Sequence, residues 1–102
     1  MSPNETKSPL FDLGQIVATP GALEALHEAG QTADEFLSRH VVGDWGELDA
    51  EDKALNDAAV LDGSRILSAY VTRMNQRIYV ITEATNEVGL RYYTTILLVS
   101  EY

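Results

Sequence analysis

The sequence predicts an α+β domain: a short N-terminal strand, three short helices, then a three-stranded antiparallel β-meander. Three observations lead there. Residues 19–62 carry helix-start and helix-stop signals at regular intervals. Beyond Gly63 the chain changes to runs rich in β-branched and aromatic side chains. A chain of 102 residues, 45% hydrophobic and 23% charged, has the length and composition of one globular domain.

The elements follow in order. The first nine residues are polar and include Pro3 and Pro9, so residues 1–10 read as a mobile arm and residues 11–102 as a single α+β domain. Leu13 to Ala18 (LGQIVA) forms a short strand. Thr19 then offers a hydroxyl as N-cap, and Pro20 takes the first helical position, where a missing N–H costs nothing. This helix buries Ala22, Leu23, Ala25, Leu26 and Ala29 and stops at Gly30. In the second helix Thr32 and Glu35 have capping-box spacing. Ala33, Phe36, Leu37, His40 and Val41 share its apolar face, and Gly43 closes it. The third helix opens at Asp49 and ends before Gly63, with Ala54, Leu55, Ala58 and Leu61 as its apolar stripe.

Three strand-like runs remain: SRILSAYVTR, RIYVITEA and RYYTTILLV. Met74-Asn75-Gln76 makes the first hairpin connection, and Thr85 to Leu90 the second. These strands are apolar on both parities, as in Ile78 and Val80 against Tyr79 and Ile81. One sheet face therefore lies under the helices and the other is partly covered, by the N-terminal strand, a crossing helix or a second copy.

Charge is distributed unevenly. The formal net charge is −9. Residues 24–62 hold eleven acids against Arg39 and Lys53, and this segment alone accounts for the whole excess. Such a field disfavours nucleic acid and anionic membranes as ligands and favours a basic protein surface. Four arginines of the last third, Arg65, Arg73, Arg77 and Arg91, flank the strands, either to pair with the acidic helices or to form a small basic patch. There is no cysteine, and no apolar run reaches the roughly 20 residues of a membrane span. The start lacks the basic end and apolar centre of a signal peptide, so a cytoplasmic protein is expected.

The stretch GDWGELDAEDKALNDAA, Gly43 to Ala59, concentrates the acids around the single tryptophan. It is not a calcium loop. Counting from Asp44, the third, fifth, sixth and twelfth positions are Gly46, Leu48, Asp49 and Leu55, where an EF-hand needs two oxygen ligands, glycine and glutamate. Zinc is no better served, because His27 and His40 sit on different helices. No metal site and no cofactor are expected. His27 falls on a polar face; His40 falls in an apolar stripe and reads as a core histidine bonded to a backbone carbonyl or to Asp44. Ser64 and Ser68 show no histidine partner in sequence, which speaks against a Ser-His-Asp triad. No GxGxxG or GxxxxGK[ST] is present. Trp45, between Gly43 and Gly46, is expected to fold inward as a core plug, with an exposed partner anchor as the alternative.

These residues also carry a resemblance. TPGALEAL at 19–26, GDWGELDAEDKALNDAA at 43–59, GSRILSAY at 63–70, ITEA at 81–84 and TTILLVSEY at 94–102 resemble a family of small acidic bacterial proteins carried on plasmids and other mobile elements. Its members are labelled plasmid-related protein or type I restriction subunit. Val99 stands where that pattern has proline. A restriction methyltransferase would need a doubly wound cofactor domain, which this length and element order do not supply. What the resemblance implies is a mobile-element setting, in which small acidic proteins bind host or defence proteins.

The leading expectation is a non-enzymatic acidic protein-binding module with no catalytic residues. Asp44, Glu47, Asp49, Glu51, Asp52 and Asp57 would form its partner-binding face. In the sharpest form it imitates DNA and inhibits a restriction or other nucleic-acid-handling defence protein. Two alternatives are a structural or regulatory subunit that dimerises through its sheet, and an enzyme with His40, Asp44 and Glu47 in one pocket.

Overall fold

The computed structural model describes residues 8–102. The element order is β1 (Gln15–Ala18), α1 (Pro20–Ala29), α2 (Ala33–His40), α3 (Ala50–Asp62), β2 (Ile66–Val71), β3 (Arg77–Thr82) and β4 (Tyr93–Leu98), then a 3-10 turn at Val99–Glu101. This is the α+β class the sequence predicts. The meander forms as expected: β2 pairs antiparallel with β3, and β3 with β4. The addition is β1. It joins the same sheet, parallel to β4, giving the order β1-β4-β3-β2. The N-terminal strand therefore lies at a sheet edge and does not cover the far face. The expected arm falls mostly outside the described residues. Its end is tied down, since Leu10 donates its backbone N–H to the Val41 carbonyl at 2.8 Å.

Helix boundaries follow local chemistry. The Thr19 hydroxyl accepts from the Ala22 amide at 3.1 Å, and Gly30 ends α1 in the left-handed region at φ 66°. Asp49 caps α3 by accepting from the Asp52 amide at 2.8 Å, and Gly63 ends it at φ 85°. Two expectations fail at α2. Thr32 makes no side-chain cap, because the Glu35 backbone amide donates to the Thr32 carbonyl at 3.2 Å, and the Glu35 carboxylate accepts from the Gln31 side-chain amide at 3.0 Å. The helix ends at His40, with Val41 as its right-handed cap, and Gly43 follows two residues later as the reversal at φ 90°.

The third helix corrects a larger expectation. Leu55 and Leu61 are 63% and 89% exposed, and Ala54 and Ala58 also face outward. The buried face is Asn56 and Ala59. The reason lies at the sheet edge. Asn56 Nδ2 donates to the Leu67 carbonyl at 2.7 Å, and its Oδ1 accepts from the Leu67 amide at 3.1 Å. One amide side chain thus replaces a neighbouring strand, and the helix turns its polar position inward to place it.

The next position of the same edge is closed by the chain before α3. Ala69 donates its amide to the Trp45 carbonyl at 3.1 Å, and its carbonyl accepts from the Glu47 amide at 2.7 Å. Gly46 bridges Ala69 at φ 79°, and a Cβ there would strike the Ala69 carbonyl oxygen. The edge of β2 is therefore guarded at Leu67 and Ala69.

The main core, on the helix face of the sheet, joins Ala22 and Leu26 of α1, Phe36 and Leu37 of α2, and Tyr70, Ile78, Val80 and Ile96 of the strands. A second cluster gathers Trp45, Ala59 and Ile66, with Phe11, Leu48 and Val60 packed against it. On the opposite face the chain's own end supplies part of the cover. Tyr102 meets Tyr79 edge-on at 5.3 Å, and Arg65 donates to the Tyr102 hydroxyl at 2.9 Å.

Candidate functional site

The eleven acids of residues 24–62 are all exposed. They enter two ion pairs among the described residues. Arg39 Nε lies 2.7 Å from Asp44 Oδ2, and Arg73 lies 4.0 Å from Glu35. The Arg39 guanidinium, by hydrogen bonding, holds the Asp44 carboxyl below the usual range. Both partners are about half exposed, so this pair contributes little to stability. Its role is local geometry, because Asp44 also accepts from the Gly46 amide at 3.3 Å.

The six predicted face residues divide by employment. Asp44 holds the turn. Asp49 caps α3. Asp57 accepts the Trp45 indole N–H at 3.0 Å. Glu47, Glu51 and Asp52 have no ion-pair partner among the described residues, and Glu51 and Asp52 occupy the first turn of α3, whose dipole favours negative charge. The face is thus partly structural at its base and free along the start of α3. Among the described residues, no three His, Cys, Asp or Glu side chains come close enough to hold a metal ion.

Trp45 is 3% exposed. It folds inward, as the core-plug reading expects. Its ring lies 5.9 Å from His40 and 6.2 Å from Phe11, and its one polar atom is satisfied by Asp57.

His40 is fully buried, as expected, but its partners differ from those predicted. Nδ1 lies 2.6 Å from Ser68 Oγ, and Nε2 lies 2.9 Å from Thr82 Oγ1. Thr82 Oγ1 is 2.7 Å from Thr94 Oγ1, and Thr94 donates to the Leu13 carbonyl at 2.7 Å. The carbonyl only accepts, and this sets the direction of the chain as far as Nε2, while burial keeps the ring neutral. Thr94 gives its proton to Leu13, so it accepts from Thr82; Thr82 then accepts from Nε2–H; Nδ1, left bare, accepts from Ser68. The imidazole is the neutral Nε2–H tautomer. Burial pushes its pKa down to about 4, and the nearby Arg91 charge adds to this.

This network answers two expectations. Ser68 does have a histidine partner. Its position was legible as an inward site between Ile66 and Tyr70 in a strand of period two, as Thr82 and Thr94 were in theirs. The dyad is nevertheless sealed: Ser68, His40, Thr82 and Thr94 are all at 0% exposure, and the third member is a hydroxyl where a triad has a carboxylate. Nor do His40, Asp44 and Glu47 share a pocket, since His40 lies inside and the two acids lie on the surface.

The arginines also sort out. Arg91 is buried over the Phe11 ring and donates to three carbonyls: Ser64 at 2.8 Å, Glu83 at 2.9 Å and Ala59 at 3.1 Å. It lines a cavity of about 330 Å³ with Asp12 and Asp62, but as a pin between α3 and the β3–β4 loop. Of the four, only Arg73 pairs with a helix acid among the described residues. No family model, curated protein or solved structure matches the chain.

Proposed function

We propose that the protein is a non-enzymatic, acidic protein-binding module of a mobile genetic element. Its surface around the start of α3, Asp44 to Asp57, engages a basic surface. In its sharpest form it imitates a run of DNA phosphates and inhibits a restriction or other nucleic-acid-handling defence protein. The mobile-element setting rests on the family resemblance.

The observation that carries the binding reading is the exposure of all eleven acids of residues 24–62, with Glu47, Glu51 and Asp52 free of ion pairs among the described residues. The groups that could do chemistry point the other way. His40 and its hydroxyl partners are buried and mutually satisfied, and no buried side-chain polar atom among the described residues lacks a hydrogen bond. A cluster of unneutralised carboxylates on a rigid helix start supplies long-range attraction for a cationic surface, and that attraction is screened by salt. The test is affinity capture from the native host across a salt series. A basic protein retained at low salt and released as salt rises supports the reading. A partner that stays bound in molar salt counts against it.

A further inference from the structure

We infer that the bare outer edge of β1 pairs antiparallel with the same edge of a second copy, joining two four-stranded sheets into one. This is independent of the acidic-face reading, which uses the other side of the molecule.

The two edges of the sheet are treated differently. On β2 the outward groups of Leu67 and Ala69 are occupied by Asn56, Trp45 and Glu47. On β1 the parallel ladder to β4 takes the Gln15 amide to the Tyr92 carbonyl at 2.9 Å and the Thr19 amide to the Ile96 carbonyl at 3.0 Å. The alternation of a ladder therefore turns Gln15, Val17 and Thr19 toward β4 and the backbone groups of Ile16 and Ala18 outward. No hydrogen bond among the described residues meets those outward groups. The edge has none of the usual guards: Gln15–Ala18 carries no charge, no proline and no bulge, and Ile16 and Val17 are 40% and 39% exposed.

The occupant follows from symmetry and charge. An antiparallel copy centred on Val17 sets Ile16 opposite Ala18 of the second copy, and Ala18 opposite its Ile16. Every outward N–H and C=O of both residues then finds its complement in a single register, as a two-fold contact requires. Val17 faces Val17 of the second copy as the non-hydrogen-bonded pair. The charge distribution permits this approach. The acidic α3 packs on β2, at the opposite edge of the sheet from β1, so two copies meeting at β1 keep their acidic faces apart. A chain of net charge −9 could not pair through the α3 side without opposing like fields.

Sedimentation of the full chain across a concentration series tests the pairing, with Val17→Lys as the breaking variant. The wild type should move toward twice its 11.2 kDa as concentration rises, and Val17→Lys should remain monomeric with unchanged circular dichroism. A second measurement fixes the register. The chain has no cysteine, so Val17→Cys introduces a single thiol. Residues in a non-hydrogen-bonded pair lie roughly 4.5 Å apart at Cα, within disulfide reach. Mild oxidation should link Val17→Cys into dimers well before the exposed control Leu55→Cys. A wild type that stays monomeric at every concentration overturns the inference, as does equal cross-linking at the two positions.

Discussion

Two regions of the molecule hold most of its polar chemistry, and they are arranged in opposite ways. Under the sheet, Ser68, His40, Thr82 and Thr94 form a directed chain in which each donor has one acceptor and the last proton rests on the Leu13 carbonyl. At the start of α3, Glu47, Glu51 and Asp52 are exposed and form no ion pair among the described residues. The contrast teaches that polar composition alone says little about function. A histidine beside a serine looks like catalysis until its burial and neutral tautomer are known. Trp45 joins the regions, with its ring against His40 and its N–H on Asp57.

Breaking that joint should have the largest effect. Trp45→Ala removes a fully packed aromatic and should cost about 3–5 kcal/mol of stability, measured by urea unfolding. Loss of less than about 1 kcal/mol would mean that the ring does not plug the core.

Acid should strain the interior next. The His40 pKa is about 4 in the fold against 6.5 when unfolded, so the unfolded chain binds more protons between those values. Stability is therefore fully present above pH 6.5 and falls as pH drops toward 4, by about 3 kcal/mol from this group. Urea titrations at several pH values read the slope. A flat profile between pH 7 and 5 would show that His40 accepts a proton in place, against its burial and the nearby Arg91 charge.

Asn56→Ala sharpens the comparison at the sheet edge. It strips the partners from the Leu67 amide and carbonyl and should cost about 1–3 kcal/mol. Amide exchange at Leu67 should accelerate relative to Ile78, whose strand is paired on both sides.

Much of this was legible from residues alone, and the failures have a common cause. The caps Thr19, Asp49, Gly30 and Gly63 act through one turn of chain, so local sequence states them fully. The meander follows from three runs of β-branched and aromatic residues. What local sequence does not state is which polar group a distant edge requires. Leu55 and Leu61 have the spacing of a buried stripe, yet Asn56 is buried instead, because Leu67, eleven residues later, needs an amide. The Thr32–Glu35 spacing is likewise correct for a cap, but Gln31 and Arg73 compete for the carboxylate. The parallel pairing of β1 with β4 spans nearly the whole chain and leaves no mark in either segment. Of the candidate site, the acidic face was visible as composition. The division of its residues into structural (Asp44, Asp49, Asp57) and free (Glu47, Glu51, Asp52) needed coordinates.

The smallest effect on stability is expected where the functional effect is greatest. Charge reversal of the free acids, Glu47→Lys with Glu51→Lys and Asp52→Lys, touches no packed group. Each change should shift stability by no more than about 0.5 kcal/mol away from the helix start and by about 1 kcal/mol within it, where the dipole now opposes the charge.

The most direct measurement is therefore a paired capture from the native host, wild type against this triple variant, both confirmed folded by circular dichroism and both washed across a salt series. The account predicts a basic protein that the wild type retains at low salt and loses as salt rises, and that the triple variant does not retain at any salt. Equal retention by the two chains, or a partner still held by the wild type in molar salt, would contradict it.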